Sequence, residues 1–192
     1  MITLGITGSI ATGKSTISAM LKKKGIEVFD ADHQARHELY NNDVITKQVL
    51  HHFGTIDRHA LATAVFAHED KLKLLESILH PPITEARNAF LESAKANHAE
   101  IVALDIPLLY EKDLAHLFDY VIVTYTDPQT QMKRALERPN MTGQMFNLIN
   151  NRQMPQEEKK AYADFTIDTT MAIEEVERQL DTILNTIKTN HA

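Results

Sequence analysis

The stretch Gly8-Ser9-Ile10-Ala11-Thr12-Gly13-Lys14-Ser15 constrains this chain more than any other. It fits the pattern G-x-x-x-x-G-K-[ST], a loop whose backbone amides converge on anion oxygens in conformations that side chains would block. Such a loop works between a strand that ends beneath it and a helix that starts from it, and the sequence supplies both. Ile2–Ile6 is a β-branched apolar run with the composition of a buried strand. Ile17, Met20 and Leu21 form the apolar stripe of a helix beginning near Lys14, with Lys22–Lys24 facing its C-terminal dipole and Gly25 as its cap. The helix directs its positive end at the anion. Lys14 then reaches the β- and γ-phosphates of a nucleotide, and the Ser15 hydroxyl is placed to ligate Mg²⁺. Gly8, Ser9, Ile10, Ala11, Thr12, Gly13, Lys14, Ser15 and Thr16 are the candidate nucleotide contacts. Gly5 lies three residues ahead of the loop, inside the predicted strand, and is expected to serve packing.

Ile26–Phe29 reads as a second strand, so the first 30 residues make a β-α-β unit, with a parallel sheet and a right-handed crossover. From about Ala31 to His98 no strand is expected. VITKQVLHHF, LATAVF, KLKLLESIL and ITEARNAFLESA all have helical spacing, which suggests a helical insertion covering the substrate. Ile101–Asp105 and Tyr120–Tyr125 are the third and fourth strands, and Phe165–Ile167 is a short fifth. A polar, Arg-dotted segment runs from Lys133 to Lys160, and an amphipathic helix over Ala172–Ile187 closes the chain. The pattern is that of an open α/β sandwich of the doubly wound type. The 192 residues suit a single domain, with an insertion over 31–98 and a separate short region over 133–160.

Composition narrows the chemistry. The absence of cysteine excludes disulfides, thiolate metal sites and cysteine nucleophiles. A net charge of −6 leaves no broad footprint for nucleic acid, so phosphates must be bound by local positive features. MITLGITG has neither a basic segment nor a long apolar run, and no stretch of about 18 apolar residues exists. No membrane association is expected, and the cytoplasm is the expected location. His51-His52 stand without an H-E-x-x-H pattern and read as surface or helix-packing residues. The seven methionines, with Phe29, Phe53 and Phe66, are expected to fill core.

The loop alone does not say where a phosphate goes. No N-K-x-D is present, so the guanine-reading element of GTPases is missing. IVALD places Asp105 at the carboxyl end of a buried strand, where it would stand near the metal, acting through water. Asp30 and Asp32 flank one alanine just past the second strand. One of them suits a helix N-cap and the other a carboxylate that accepts the proton of an attacking hydroxyl. Arg134 and Arg138, four apart on one helix face, and Arg152 beyond the PNMTG loop have the content of a lid that closes over transferring phosphates.

Together these pieces resemble the dephospho-CoA kinases, nearly end to end. The likeness is carried by GITGSIATGKST, DADHQAR, IDR with AVF, LESILHP, LDIPLLYE, QMPQEEK and ADFTID. The resemblance implies a P-loop kinase: a three-layer α/β sandwich with a five-stranded parallel sheet, a helical substrate-binding insertion and a small lid. It implies transfer of a phosphoryl group from ATP, with Mg²⁺, to the ribose 3′-hydroxyl of dephospho-CoA, by a monomer or weak homo-oligomer. A nucleoside or nucleotide kinase is the alternative. Carried over by position, Asp32 is the base or hydroxyl-orienting group with Arg36 nearby. His80 and Pro81 form pocket wall, Leu108 to Glu111 shape the acceptor pocket, and Arg138 is the lid arginine. The chain departs from the family pattern in a trimmed segment between Phe53-Gly54 and Asp57-Arg58, in Thr169 where Asn is common, and in Ile149 where an Arg is common.

Overall fold

A computed structural model describes residues 1–66 and 68–191, apart from the side chains of Arg58, His59 and Phe66. The core role expected of Phe66 and the Arg58 side chain of the IDR motif therefore lie outside the described residues.

Five strands, β1 (Ile2–Thr7), β2 (Glu27–Asp30), β3 (Ile101–Asp105), β4 (Tyr120–Tyr125) and β5 (Phe165–Asp168), form one parallel sheet in the order β2-β3-β1-β4-β5. The strand that feeds the glycine-rich loop is therefore central. Ile6 of β1 registers with Asp105 of β3, and Thr7 with Val123 of β4, so Asp105 ends its strand next to where the loop leaves the sheet. β2 begins one residue later than its apolar run suggested.

The helices are α1 (Lys14–Lys23), α2 (Ala31–Asn41), α3 (Asp43–Phe53), α4 (Arg58–Phe66), α5 (Glu69–Ala96), α6 (Pro128–Leu136), α7 (Gly143–Asn150), α8 (Gln156–Tyr162) and α9 (Ile173–Asn190). α1 and α9 lay their apolar stripes on the sheet. Ile17, Met20 and Leu21 meet Leu180, Ile183, Leu184 and Ile187 over Leu4, Ile6, Ala103 and Ile122. Gly5 sits where this sheet is tightest on its other side. A Cβ there would lie 2.7 Å from Leu109 Cδ1 and 2.9 Å from Phe118 Cδ2.

The chain divides into two compact units, residues 1–28 with 98–192, and residues 29–97. The second unit is helical and holds its own core, in which Leu39, Ile45, Val49 and Leu61 pack with the half-buried Phe53, Leu75 and Ile78. KLKLLESIL and ITEARNAFLESA, both of helical spacing, fall on one helix, α5, which runs through Pro81 and Pro82. Each proline forfeits one N–H and so one intrahelical bond, and the flanking turns carry the helix across the gap. The methionines also depart from expectation. Met20 is buried, whereas Met132 and Met171 are exposed, because an unbranched side chain at an apolar-spaced position need not face the core. Among the described residues no helix is long and apolar enough to cross a membrane.

Candidate active site

The glycine-rich loop leaves β1 at Thr7 and is closed on itself by hydroxyls. Thr12 Oγ1 donates to the Ser9 carbonyl (2.8 Å) and shares a hydrogen bond with Thr124 Oγ1 (2.9 Å). Gly8 is required by that closure, since a Cβ there would overlap Thr124 Oγ1 and lie 2.6 Å from Thr12 Oγ1. Gly13 is required for another reason. It is the N-cap of α1 at φ +89°, in the left-handed region that side chains rarely adopt. The first-turn amides of Lys14 and Ser15 have no carbonyl before them in the helix, which leaves them to an anion.

One expected nucleotide contact, Ile10, has its peptide groups engaged within the protein. The Ile10 N–H donates to Gln153 Oε1 (2.7 Å), and its carbonyl accepts from Gln131 Nε2 (2.9 Å). Its side chain packs with Ala11, Ala135 and Phe146. Both peptide groups of Ile10 are thus engaged by protein, and this residue supports the loop from behind. Half-buried Ile149 packs on the same cluster.

Lys14 does not hang free over the loop. Its Nζ lies 3.2 Å from Asp105 Oδ1, and Asp105 Oδ2 accepts from the Ser18 hydroxyl at 2.8 Å. Asp105 is only 6% exposed. Its Oδ1 takes part in the ion pair but in no directed hydrogen bond, which leaves a buried oxygen with lone pairs suited to a cation or its water. With the exposed Ser15 hydroxyl one turn before Ser18, this is a donor set that fits Mg²⁺ held jointly with phosphate oxygens. Among the described residues no cluster of three or more carboxylates or histidines forms an all-protein metal cage.

A cavity of about 380 Å³ opens beside the loop, lined by Gly13, Ser15, Arg134, Arg138, Thr169 and Ile173 among others. Of the three arginines expected in a lid, Arg134 and Arg138 line it, whereas Arg152 is exposed and does not. Arg134 is fixed by Thr169: Nη1 donates to Oγ1 (3.0 Å) and Nη2 to the main-chain carbonyl (2.8 Å). Thr169 Oγ1 in turn donates to the Thr12 carbonyl (2.9 Å) and has the Tyr125 carbonyl at 3.1 Å. Thr169 thus ties the arginine to the phosphate loop.

Of the two aspartates at the end of β2, Asp30 is the cap. It is the N-cap of α2, and its carboxylate accepts the His33 N–H at 2.8 Å. Asp32 stands exposed in the first turn of α2, with exposed Arg36 one turn on. His80 and Pro81 are exposed in the middle of α5. These four belong to the 29–97 unit, and Leu108, half-buried, follows β3 in the other.

Glu111, expected at the acceptor, is held by an ion pair and a backbone amide. Its Oε1 lies 2.9 Å from Lys159 Nζ and accepts the Met154 N–H at 2.8 Å, while Oε2 is buried without a partner. The carboxylate is turned into the protein. Lys159 was missed in the sequence, where it reads as one of several charges in QEEKK. Its side chain is 0% exposed, and burial pushes its pKa down, against the opposing pull of Glu111. A lysine on the buried face of a seven-residue helix is a signal only once the helix's packing is known.

The glycine-rich loop on the central strand of a parallel sheet, with a lysine–carboxylate pair at the strand ends and arginines across the nucleotide cavity, defines a P-loop kinase fold. Known proteins narrow the class. A family model for dephospho-CoA kinase matches residues 2–175. The dephospho-CoA kinase of Bartonella quintana is 37% identical, over 97% of this chain and 98% of that one. A solved structure of a Thermus thermophilus protein superposes with a TM-score of 0.82 at 31% identity, covering 96% of this chain and 97% of that one. The dephospho-CoA kinase from Campylobacter jejuni gives a TM-score of 0.69 at 25% identity, covering 99% and 98%. The chain belongs to the dephospho-CoA kinase family. Membership of a kinase family implies use of ATP.

Proposed function

We propose that this protein transfers the γ-phosphoryl group of ATP to the ribose 3′-hydroxyl of dephospho-CoA, giving coenzyme A and ADP. The observation that carries the reading is the occurrence of the acceptor-side motifs DADHQAR and LDIPLLYE in a chain that also holds a complete phosphate loop. A nucleotide-binding switch would need the loop alone.

In this reading the α1 N-terminus and the amides around Gly13 hold the β- and γ-phosphates, and Lys14 moves its ammonium from Asp105 to the bridging oxygens. Ser15 and, through water, Asp105 would hold Mg²⁺. The ion, when bound, supplies positive charge against the phosphate oxygens. Arg134 lines the nucleotide cavity from a fixed position. Arg138, exposed and four residues on, is the lid cation that closes over the phosphoryl group. Asp32 orients the attacking hydroxyl and takes its proton. Arg36, His80, Pro81 and Leu108 contribute to acceptor binding, within a helical 31–98 region that shapes the acceptor pocket, and residues 133–160 act as the lid.

The test measures ADP release with dephospho-CoA, with AMP and nucleosides, and with no acceptor. The expected result is turnover that requires dephospho-CoA. Turnover with nucleosides or AMP in its place would favour the alternative kinase class.

A further inference from the structure

Lys159 lies on α8 with no solvent exposure, a setting in which lysine is rarely found without partners. Its ammonium meets Glu111 Oε1 at 2.9 Å and donates to the Pro107 carbonyl at 3.2 Å. Each acceptor has a second partner. The Pro107 carbonyl also takes the Thr7 hydroxyl (3.1 Å), and Thr7 is the residue from which the phosphate loop departs. Glu111 Oε1 also takes the Met154 N–H (2.8 Å), and the neighbouring residue, Gln153, holds the Ile10 N–H (2.7 Å). From one buried ammonium two short routes therefore reach the loop. One runs through Pro107 to Thr7, the other through Glu111, Met154 and Gln153 to Ile10. Gly8 and Ser9 are strung between the two ends.

An ion pair buried to this degree, with Lys159 at 0% and Glu111 at 15% exposure, is a poor source of net stability, because desolvation consumes most of the attraction, and apolar side chains of similar size hold a fold as well. What such a pair supplies is direction, since it accepts only one arrangement of the groups bonded to it. We infer that Lys159 and Glu111 are positioning residues for the phosphate loop, fixing Thr7 and Ile10 so that the intervening backbone and the amides that follow meet the polyphosphate in register. The inference rests on the nucleotide-binding reading of that loop and not on the identity of the acceptor.

The test compares wild type with Lys159→Met, Glu111→Gln and the double variant Lys159→Met/Glu111→Met. Melting temperature is measured for each, with affinity for a non-hydrolysable ATP analogue by calorimetry without acceptor, and kcat/KM for ATP with dephospho-CoA. The single variants strand one charged partner and melt lower. The double variant removes both charges and melts close to wild type, yet binds the analogue about 10-fold more weakly and loses about 10- to 100-fold in kcat/KM for ATP, the scale of a misplaced binding group. A double variant with wild-type melting and wild-type analogue affinity overturns the inference. Should the double variant fail to fold, Gln153→Ala decides, since it cuts the second route without touching the ion pair; unchanged analogue affinity there overturns it equally. Because analogue binding needs no acceptor, a wild-type protein that ignores dephospho-CoA would sink the proposed activity and leave this comparison intact.

Discussion

Thr169→Val is the most informative single change in the nucleotide cavity. Valine keeps the volume and branching of threonine and removes one hydroxyl. Three contacts depend on that oxygen: the bond accepted from Arg134 Nη1, the bond donated to the Thr12 carbonyl, and the shared approach to the Tyr125 carbonyl. Tyr125 keeps the Thr169 N–H at 2.9 Å. Thr12, 1% exposed, loses a donor to its carbonyl. A buried acceptor left unmatched costs about 1–3 kcal/mol. Arg134 keeps its second tether, to the Thr169 carbonyl, and is half-exposed, so water replaces part of what it loses. These considerations give about 1–2 kcal/mol, or a melting temperature lower by about 2–8 °C for a chain of this size. With one tether gone the guanidinium swings within the cavity. ATP affinity falls about 10-fold, equivalent to about 1.4 kcal/mol, while kcat changes little. Thermal melts and ATP titrations measure both effects, with Thr169→Ser as the control that keeps the hydroxyl. A valine variant with wild-type melting and wild-type KM for ATP would refute the role of Thr169 as the anchor of Arg134.

Asp32→Asn should lower kcat by about 100-fold or more with ATP binding retained, the usual scale for a general base; a near-normal kcat would move the role to another carboxylate. Gly5→Ala should destabilise by about 1–3 kcal/mol in urea unfolding, because the added methyl meets Leu109 and Phe118 inside van der Waals distance. A change under about 0.5 kcal/mol would show that Phe118 yields freely. Burial pushes the Tyr110 phenol up to about 12 from its ordinary 10.0. The folded state therefore resists ionisation that the unfolded chain undergoes first, and stability should fall from pH 10 upward until the folded phenol also titrates. Tyr110→Phe should flatten that decline in unfolding curves at pH 9 to 11, and an unchanged slope would assign it to other groups.

Elements whose signal is local were legible in the chain itself. The loop, its strand and its helix are specified within about twenty residues, because conformational demand at Gly13, apolar spacing at Ile17 and Leu21 and the charge of Lys14 all act at short range. β3, β4 and α9 were legible because a run buried on both faces, or an amphipathic stripe, has its own periodicity. The continuity of α5 through Pro81 and Pro82 was not legible, because proline carries a local signal to stop and only the flanking turns carry the helix across it. Asp30 and Asp32 could not be told apart by composition, since either has the right side chain for a cap and only the backbone geometry at Asp30 selects it.

What the sequence determined by itself is the phosphate loop, the parallel sheet that carries it and the kinase family. What only tertiary structure decided is which polar groups meet. Thr169 is 35 residues from Arg134 and 157 from Thr12, and Lys159 is 52 from Pro107. No periodicity spans such separations, because each of these contacts exists only after β1, β3, β4 and β5 have been aligned and α8 has been folded against them. Ile10 and Glu111 make the same point: folding brings the Ile10 peptide to Gln153 and Gln131, and the Glu111 carboxylate to Lys159 and Met154.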